Sequence, residues 1–330
     1  MTLTSRPFGR AGRPATSIGF GAWAIGGTWG EVTEPEAQAA LHAALDAGMT
    51  FIDTADVYGD GRSERIIRDV LAARGGDRPF VATKAGRRLS PHVAAGYNGT
   101  NIEAFIDRSL VNLGVDRIDL VQLHCPPTEC YSNPDLFAAL DAIKAKGKIA
   151  DYGVSVEKIS EAMQAITWPG VVSVQIIYNL FRQRPADEFF KQALARNVAV
   201  IARVPLASGL LTGKMSTAST FAADDHRAFN RNGEAFDKGE TFSGVPFDVA
   251  LQAVEELRPL VPAGASMAAF ALRWILMEDA VSVVIPGSKN AAQSQANAAA
   301  DALGPLPPTT MDAARDIYAR LIAPHVHRLW

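Results

Sequence analysis

Eight times along the chain a short run rich in β-branched residues gives way to a longer stretch with helical spacing, and this alternation restricts the fold more than any other feature. The strand-like runs cover 17–27, 50–53, 80–84, 118–124, 150–156, 171–178, 198–204 and 281–287. Helical patterns follow them, among them EPEAQAALHAALDAG, SERIIRDVLAARG, NIEAFIDRSLVNLG and SMAAFALRWILMED. Gly48, Gly75, Gly114 and Gly147 stand where helix C-caps favour glycine, and Ser63, Asn101 and Asn133 stand where N-caps belong. Eight β-then-α units predict an α/β fold, a (β/α)8 TIM barrel, whose usual size of roughly 250 residues is exceeded here by insertions. A doubly wound sheet is the alternative.

Three segments fall outside the repeat. The first sixteen residues, with Gly9, Gly12 and Pro14, predict a hairpin or arm closing the bottom of the barrel. A long polar stretch, 207–246, follows the seventh strand and reads as a functional flap or a partly disordered loop. The stretch from Pro305 to Trp330 adds one more helix over TTMDAARDIYARLI. No linker or low-complexity run divides residues 1–330, which predicts one domain.

Composition narrows the partners. A net charge of −3 over 330 residues gives no basic footprint for nucleic acid or anionic lipid, which leaves small molecules. No apolar run approaches the roughly 20 residues of a membrane helix, and MTLTSRPFGRAG lacks a signal-peptide core, so a cytoplasmic protein is expected. Cys125 and Cys130 read as free thiols. Neither they nor the neighbouring His124 have the spacing of a zinc cluster, so no metal is expected.

In a barrel the chemistry gathers at the C-terminal ends of the strands. Asp53 ends the second strand, Tyr58 follows in its loop, Lys84 ends the third strand and His124 the fourth. An ammonium drawn into a strand end needs a carboxylate, and Asp53 is the natural one. A phenol beside that cation is expected to have its pKa pulled down from about 10 and to act as a general acid or base on a carbonyl oxygen. His124 would orient the same oxygen. Schiff-base chemistry on Lys84 is the competing reading, and it leaves Tyr58 and His124 without a role.

The motif Asp53, Ala55, Tyr58, Gly59, Gly61, Ser63 and Glu64 resembles that of the aldo-keto reductase superfamily. So do G-x-G-x-W at 19–23, ATKAG at 82–86, DLVQLHCPP at 119–127, PLASGLLTGK at 205–214 and IPGSKNAAQSQAN at 285–297. The chain looks like a bacterial-type member, distantly similar to potassium-channel β subunits. The resemblance implies a barrel enzyme that reduces carbonyls with NADP(H), using Tyr58, Lys84, Asp53 and His124. A redox-sensing regulatory subunit without significant turnover is the alternative it leaves.

For the cofactor, the resemblance implies Ser155 and Gln175 at the carboxamide, and Pro205, Leu206, Ala207, Ser208 and Lys214 along the pyrophosphate. It implies Gly287, Lys289, Gln293 and Asn297 at the adenosine phosphate, with Arg227 reaching a 2′-phosphate. Trp23, Trp29 and Tyr58 are expected to form part of an apolar wall around the carbonyl, and Trp23 also to touch the cofactor. Val156 stands where many members have asparagine. Arg203 stands where an aromatic usually stacks on the nicotinamide; its charge is expected to disfavour the oxidised ring.

Overall fold

The computed structural model describes residues 3–27 and 29–330; Met1, Thr2 and Thr28 lie outside the described residues. A hairpin comes first, with β1 (Ser5–Pro7) antiparallel to β2 (Pro14–Thr16). Eight parallel strands follow: β3 (Phe20–Gly21), β4 (Phe51–Asp53), β5 (Phe80–Ala85), β6 (Ile118–His124), β7 (Ile149–Ser155), β8 (Val171–Ile177), β9 (Ala199–Arg203) and β10 (Val281–Val284). Each pairs with the next in sequence, as βαβ crossovers require. The sheet curls until its two edges meet. Gly19 donates its N–H to the Val284 carbonyl at 2.8 Å, and Val284 donates to Ser17 at 2.9 Å. This is the expected (β/α)8 barrel.

The helices outside are α1 (Trp23–Gly26), α2 (Glu34–Asp46), α3 (Arg62–Arg74), α4 (Gly99–Leu113), α5 (Pro134–Ala145), α6 (Ile159–Ala165) and α7 (Phe189–Ala195). After β9 come α8 (His226–Phe229), α9 (Phe247–Leu257) and α10 (Met267–Ile275). Beyond β10 lie α11 (Ala291–Ala299), α12 (Pro308–Ile317) and α13 (Ala323–Val326).

Side chains alternate along each strand, so one set points into the barrel and the other packs on the helices. The inward set is apolar low in the barrel and polar at the top. Phe51, Phe80, Leu120, Ala199, Ile201 and Val283 form an interior cluster plugged from below by Phe8, whose ring lies 5.3 Å from Phe51 and 4.9 Å from Phe80. The predicted arm therefore closes the bottom. Two residues further along the same strands stand Asp53, Lys84 (four on from Phe80), Gln122 and Arg203, all buried.

Several local expectations need correction. The predicted first strand, 17–27, is only two residues long; at Trp23–Gly26 the chain turns into a single helical turn. Ser63 is not an N-cap: Gly61 opens α3, and the Ser63 hydroxyl lies 2.8 Å from that of Thr54 instead. Asn98, not Asn101, caps α4, accepting the Asn101 N–H at 3.1 Å, whereas Asn133 caps α5 as predicted. Helix α9 had not been anticipated, although Ala250, Ala253, Val254 and Leu257 form its buried stripe at helical spacing. The 207–246 stretch is ordered into short turns whose buried side chains, Leu210, Leu211, Asn230 and Phe242, hold it to the barrel.

Candidate active site

The Lys84 ammonium has three protons and spends each on one partner at the barrel top. It donates to Asp53 Oδ2 at 2.5 Å, to the Thr54 carbonyl at 2.9 Å and to Tyr58 Oη at 3.2 Å. The third contact fixes a direction. Because the lysine is the donor, the phenol keeps its own hydrogen for a different acceptor. Asp53 is anchored from two further strands, Gln122 Nε2 reaching Oδ1 at 3.1 Å and Gln175 Nε2 at 2.7 Å.

Glycines allow the tyrosine to reach this point. A Cβ on Gly26 would lie 2.6 Å from the Tyr58 Cβ, and one on Gly59 (φ +60°) would lie 2.1 Å from the Gly26 carbonyl. The loop after β4 thus packs directly on α1. Arg62 fastens the same junction, donating to Ile25 O at 2.7 Å and Val32 O at 2.8 Å. The Trp23 ring stacks on Tyr58, with centroids 6.2 Å apart and planes 18° apart.

The electrostatics reverse one expectation. Burial pushes the Tyr58 phenol above its ordinary pKa; Lys84 pulls the other way, but Asp53 and Glu240 add to the rise. The cation is already neutralised by Asp53, so its pull on the phenol cannot outweigh desolvation. Tyr58 is therefore a neutral phenol. Burial works against the Lys84 charge, yet Asp53 and Tyr58 hold its pKa above the ordinary lysine value. His124 falls well below the ordinary imidazole value, through burial and then the nearby Arg87, Lys84 and Arg203 cations. Its Nδ1 has no hydrogen-bond partner among the described residues, while Tyr97 Oη holds its carbonyl at 3.2 Å.

The residues expected around a cofactor divide into groups. Ser155 accepts from the Cys125 thiol at 3.4 Å, and burial pushes that thiol up to about 11. Gln175 donates from Nε2 to Asp53 Oδ1 at 2.7 Å, which fixes its amide in the barrel interior. Ser208 turns its hydroxyl into the loop, donating to the Glu240 carbonyl and accepting from Phe242 N–H, both at 3.0 Å. It shares a tight turn with Ala207, both at positive φ, just beyond Pro205 and Leu206. Lys214 stands exposed at the end of that turn.

At the other side of the mouth, Asn297 donates to Ser288 Oγ at 3.0 Å and to the Gly287 carbonyl at 3.3 Å, and Gln293 Oε1 accepts the Lys289 N–H at 2.8 Å. The turn that opens α11 is thereby preformed. Lys289 Nζ meets the Trp29 carbonyl, and its pKa is lowered by burial and then by the Arg227 charge. Arg227 is itself ion-paired with Asp225 at 2.6 Å, so the positive charge offered to an anion beside this helix N-terminus comes chiefly from Lys289.

Arg203 does not stand as a bare charge. It forms an ion pair with Glu240 of the long loop and donates to the Val156 carbonyl at 2.8 Å. The expected bias against an oxidised ring therefore loses its simple electrostatic ground. Glu240, Glu157 and Cys125 bring three ligand-type atoms within 4.8 Å of one another, but Glu240 is committed to Arg203 and the thiol stays protonated.

A cleft of about 440 Å³ opens at Cys125, the residue after His124, and is lined by Arg87, His92, Glu157, Lys158, Phe236 and Asp237 among others. Arg87 lies 3.9 Å from Glu157 and 5.7 Å from the Phe236 centroid. Burial, with Asp237 and Glu240, pushes Glu157 up to about 7. Neither these residues nor Gln122 had been singled out. Gln122 was findable, two places before His124 on the inward face, but the cleft is assembled from separate loops.

The family model for the aldo/keto reductase family matches residues 17–319. The chain belongs to that family. An aldo-keto reductase of Bacillus subtilis is 32% identical over 298 residues, covering 86% of this chain and 85% of that protein. The glycerol dehydrogenase structure from Gluconobacter oxydans is 30% identical, covers 100% of this chain and 98% of its own, and superposes with a TM-score of 0.77. A Klebsiella pneumoniae aldo-keto reductase, solved in complex with NADPH, shares the fold at 20% identity and a TM-score of 0.70, each chain covered over 96%. Carbonyl reduction is this family's general reaction, and no described helix is long and apolar enough to cross a membrane.

Proposed function

We propose that this aldo/keto reductase reduces aldehyde or ketone carbonyls to alcohols, reversibly, with Tyr58 as the proton donor and NADP(H) as the coenzyme. The observation that carries the reading is the Lys84 ammonium shared between Asp53 and the Tyr58 oxygen, which leaves the phenol hydrogen for a substrate.

The hydride for the carbonyl carbon would come from NADPH held at the residues named below. Tyr58 gives its proton to the carbonyl oxygen as the C=O π bond is lost, and the phenolate it becomes is held by Lys84. Neutral His124 offers a hydrogen bond to the same oxygen without competing as an acid. In this reading Ser155, Gln175, Arg203 and Trp23 surround the nicotinamide end. Pro205 to Ser208 and Lys214 follow the pyrophosphate, while Gly287, Gln293 and Asn297 hold the turn that receives the adenosine phosphate. Lys289 is the chief partner of a 2′-phosphate, with Arg227 beside it, which favours NADPH over NADH.

The cleft points to a hydroxylated substrate. Arg87, Lys158, Glu157 and Asp237 give the cleft a polar, charged lining whose remaining donors and acceptors an apolar ketone would leave unused. That the structurally similar Gluconobacter protein is a glycerol dehydrogenase accords with this.

The test is NADPH and NADH oxidation across a panel of carbonyls running from glyceraldehyde and aldoses to apolar aldehydes. Wild type should turn over, and Tyr58→Phe should lose on the order of 10²–10⁴-fold in kcat while still binding NADPH. Coenzyme binding without turnover of any carbonyl by the wild type would refute the reading.

A further inference from the structure

Two residues that line the cleft, Phe236 and Asp237, belong to the same short segment as Glu240, the partner of Arg203. That segment is held by a side chain from the far end of the sequence. The Trp330 ring lies 3.8 Å from the Arg182 guanidinium carbon, which is itself buried, and its Nε1–H donates to Asp237 Oδ1 at 2.8 Å. The same Asp237 oxygen accepts the Gly239 N–H at 2.7 Å, so one carboxylate links the indole to the backbone of the segment.

The segment is shaped for the ring. A Cβ on Gly239 would come within 3.1 Å of the indole, and one on Gly244 within 2.5 Å. Arg184 grips the Trp330 main-chain carbonyl. Arg182 and Arg184 follow β8, so the indole ties the segment to a rigid strand end.

We infer that Trp330 is a positioning residue for the carbonyl-binding cleft: clamped between Arg182 and Asp237, it sets where Phe236 and Asp237 stand relative to His124 and Tyr58. The inference rests on the reductase reading for its kinetic consequence and on geometry alone for its structural one. A residue that places a substrate wall without touching the reacting atoms acts on substrate binding more than on the chemical step. A merely stabilising tryptophan would lower the melting temperature and leave the substrate KM alone.

The experiment compares wild type, Trp330→Ala and Trp330→Phe at saturating NADPH with glyceraldehyde, alongside amide hydrogen exchange over residues 236–244. In Trp330→Ala the KM should rise on the order of tenfold with a much smaller change in kcat, and exchange over the segment should speed up. Trp330→Phe keeps a ring over Arg182 but cannot donate to Asp237, and should recover part of both. An unchanged KM in Trp330→Ala with a lowered melting temperature would overturn the inference. So would wild-type exchange across 236–244, which is readable even if no carbonyl is turned over.

Discussion

The barrel mouth is built in two ways. On one side, strand ends carry Asp53, Lys84, Gln122, His124 and Gln175, buried and fastened by hydrogen bonds that cross from strand to strand. On the other, loops carry Arg87, Glu157, Phe236, Asp237 and Glu240, joined by ion pairs and ring contacts between segments far apart in sequence. The strand side holds a proton in place; the loop side shapes the space in front of it. Backbone register fixes the first to within a side-chain rotamer, whereas the second depends on contacts such as that of Trp330 with Asp237.

Breaking the strand side should have the largest effect. Lys84→Met leaves the Asp53 carboxylate buried without its cation, which costs about 3–5 kcal/mol of stability and removes the group that holds the phenolate. Urea denaturation and turnover should both register it, and Asp53→Asn added to Lys84→Met should restore stability without restoring activity. If the single variant unfolds like wild type, the ion pair does not carry the charge balance described.

A smaller effect sharpens the contrast within one loop. Three residues after the fully satisfied Asp53, the Asp56 carboxyl is buried, and neither oxygen has a hydrogen-bond partner among the described residues. Burial and then the Glu64 charge push it up from 3.8 to about 7, against Arg88 and Arg108. The folded state therefore holds this proton more tightly than the unfolded chain. Stability is lost as pH rises from about 4 toward 7, the sense opposite to that of a salt-bridged aspartate. Asp56→Asn should raise the melting temperature at pH 8 by an amount worth about 1–3 kcal/mol and by clearly less at pH 5, where only the first part of that loss has accumulated. Equal shifts at both pH values would show that Asp56 is charged throughout.

The two halves also differ in how far the sequence reveals them. Period-two alternation and the position of each strand end were enough to bring Asp53, Lys84 and His124 together, and the glycines around Tyr58 marked the turn that delivers it. Gln122 lay on the same inward face and was missed only because an amide suggests no chemistry by itself. Glu240 and Trp330 carry no such signal: their partners, Arg203 and Asp237, lie 37 and 93 residues away, across a loop whose path no periodicity dictates. The sign of the Tyr58 shift was equally hidden. It depends on Asp53 cancelling the lysine charge at 2.5 Å while the phenol is desolvated, a balance of distances rather than of residue types.

The central claim is that the mouth keeps Tyr58 as a neutral phenol whose hydrogen is free because Lys84 donates to its oxygen. Titrating the phenolate absorbance of wild type against Tyr58→Phe isolates this one group. The account predicts that the difference signal emerges only above the ordinary phenol value of about 10. A phenolate appearing in the neutral range would contradict it and return the tyrosine to the acidified state that charge proximity alone suggests.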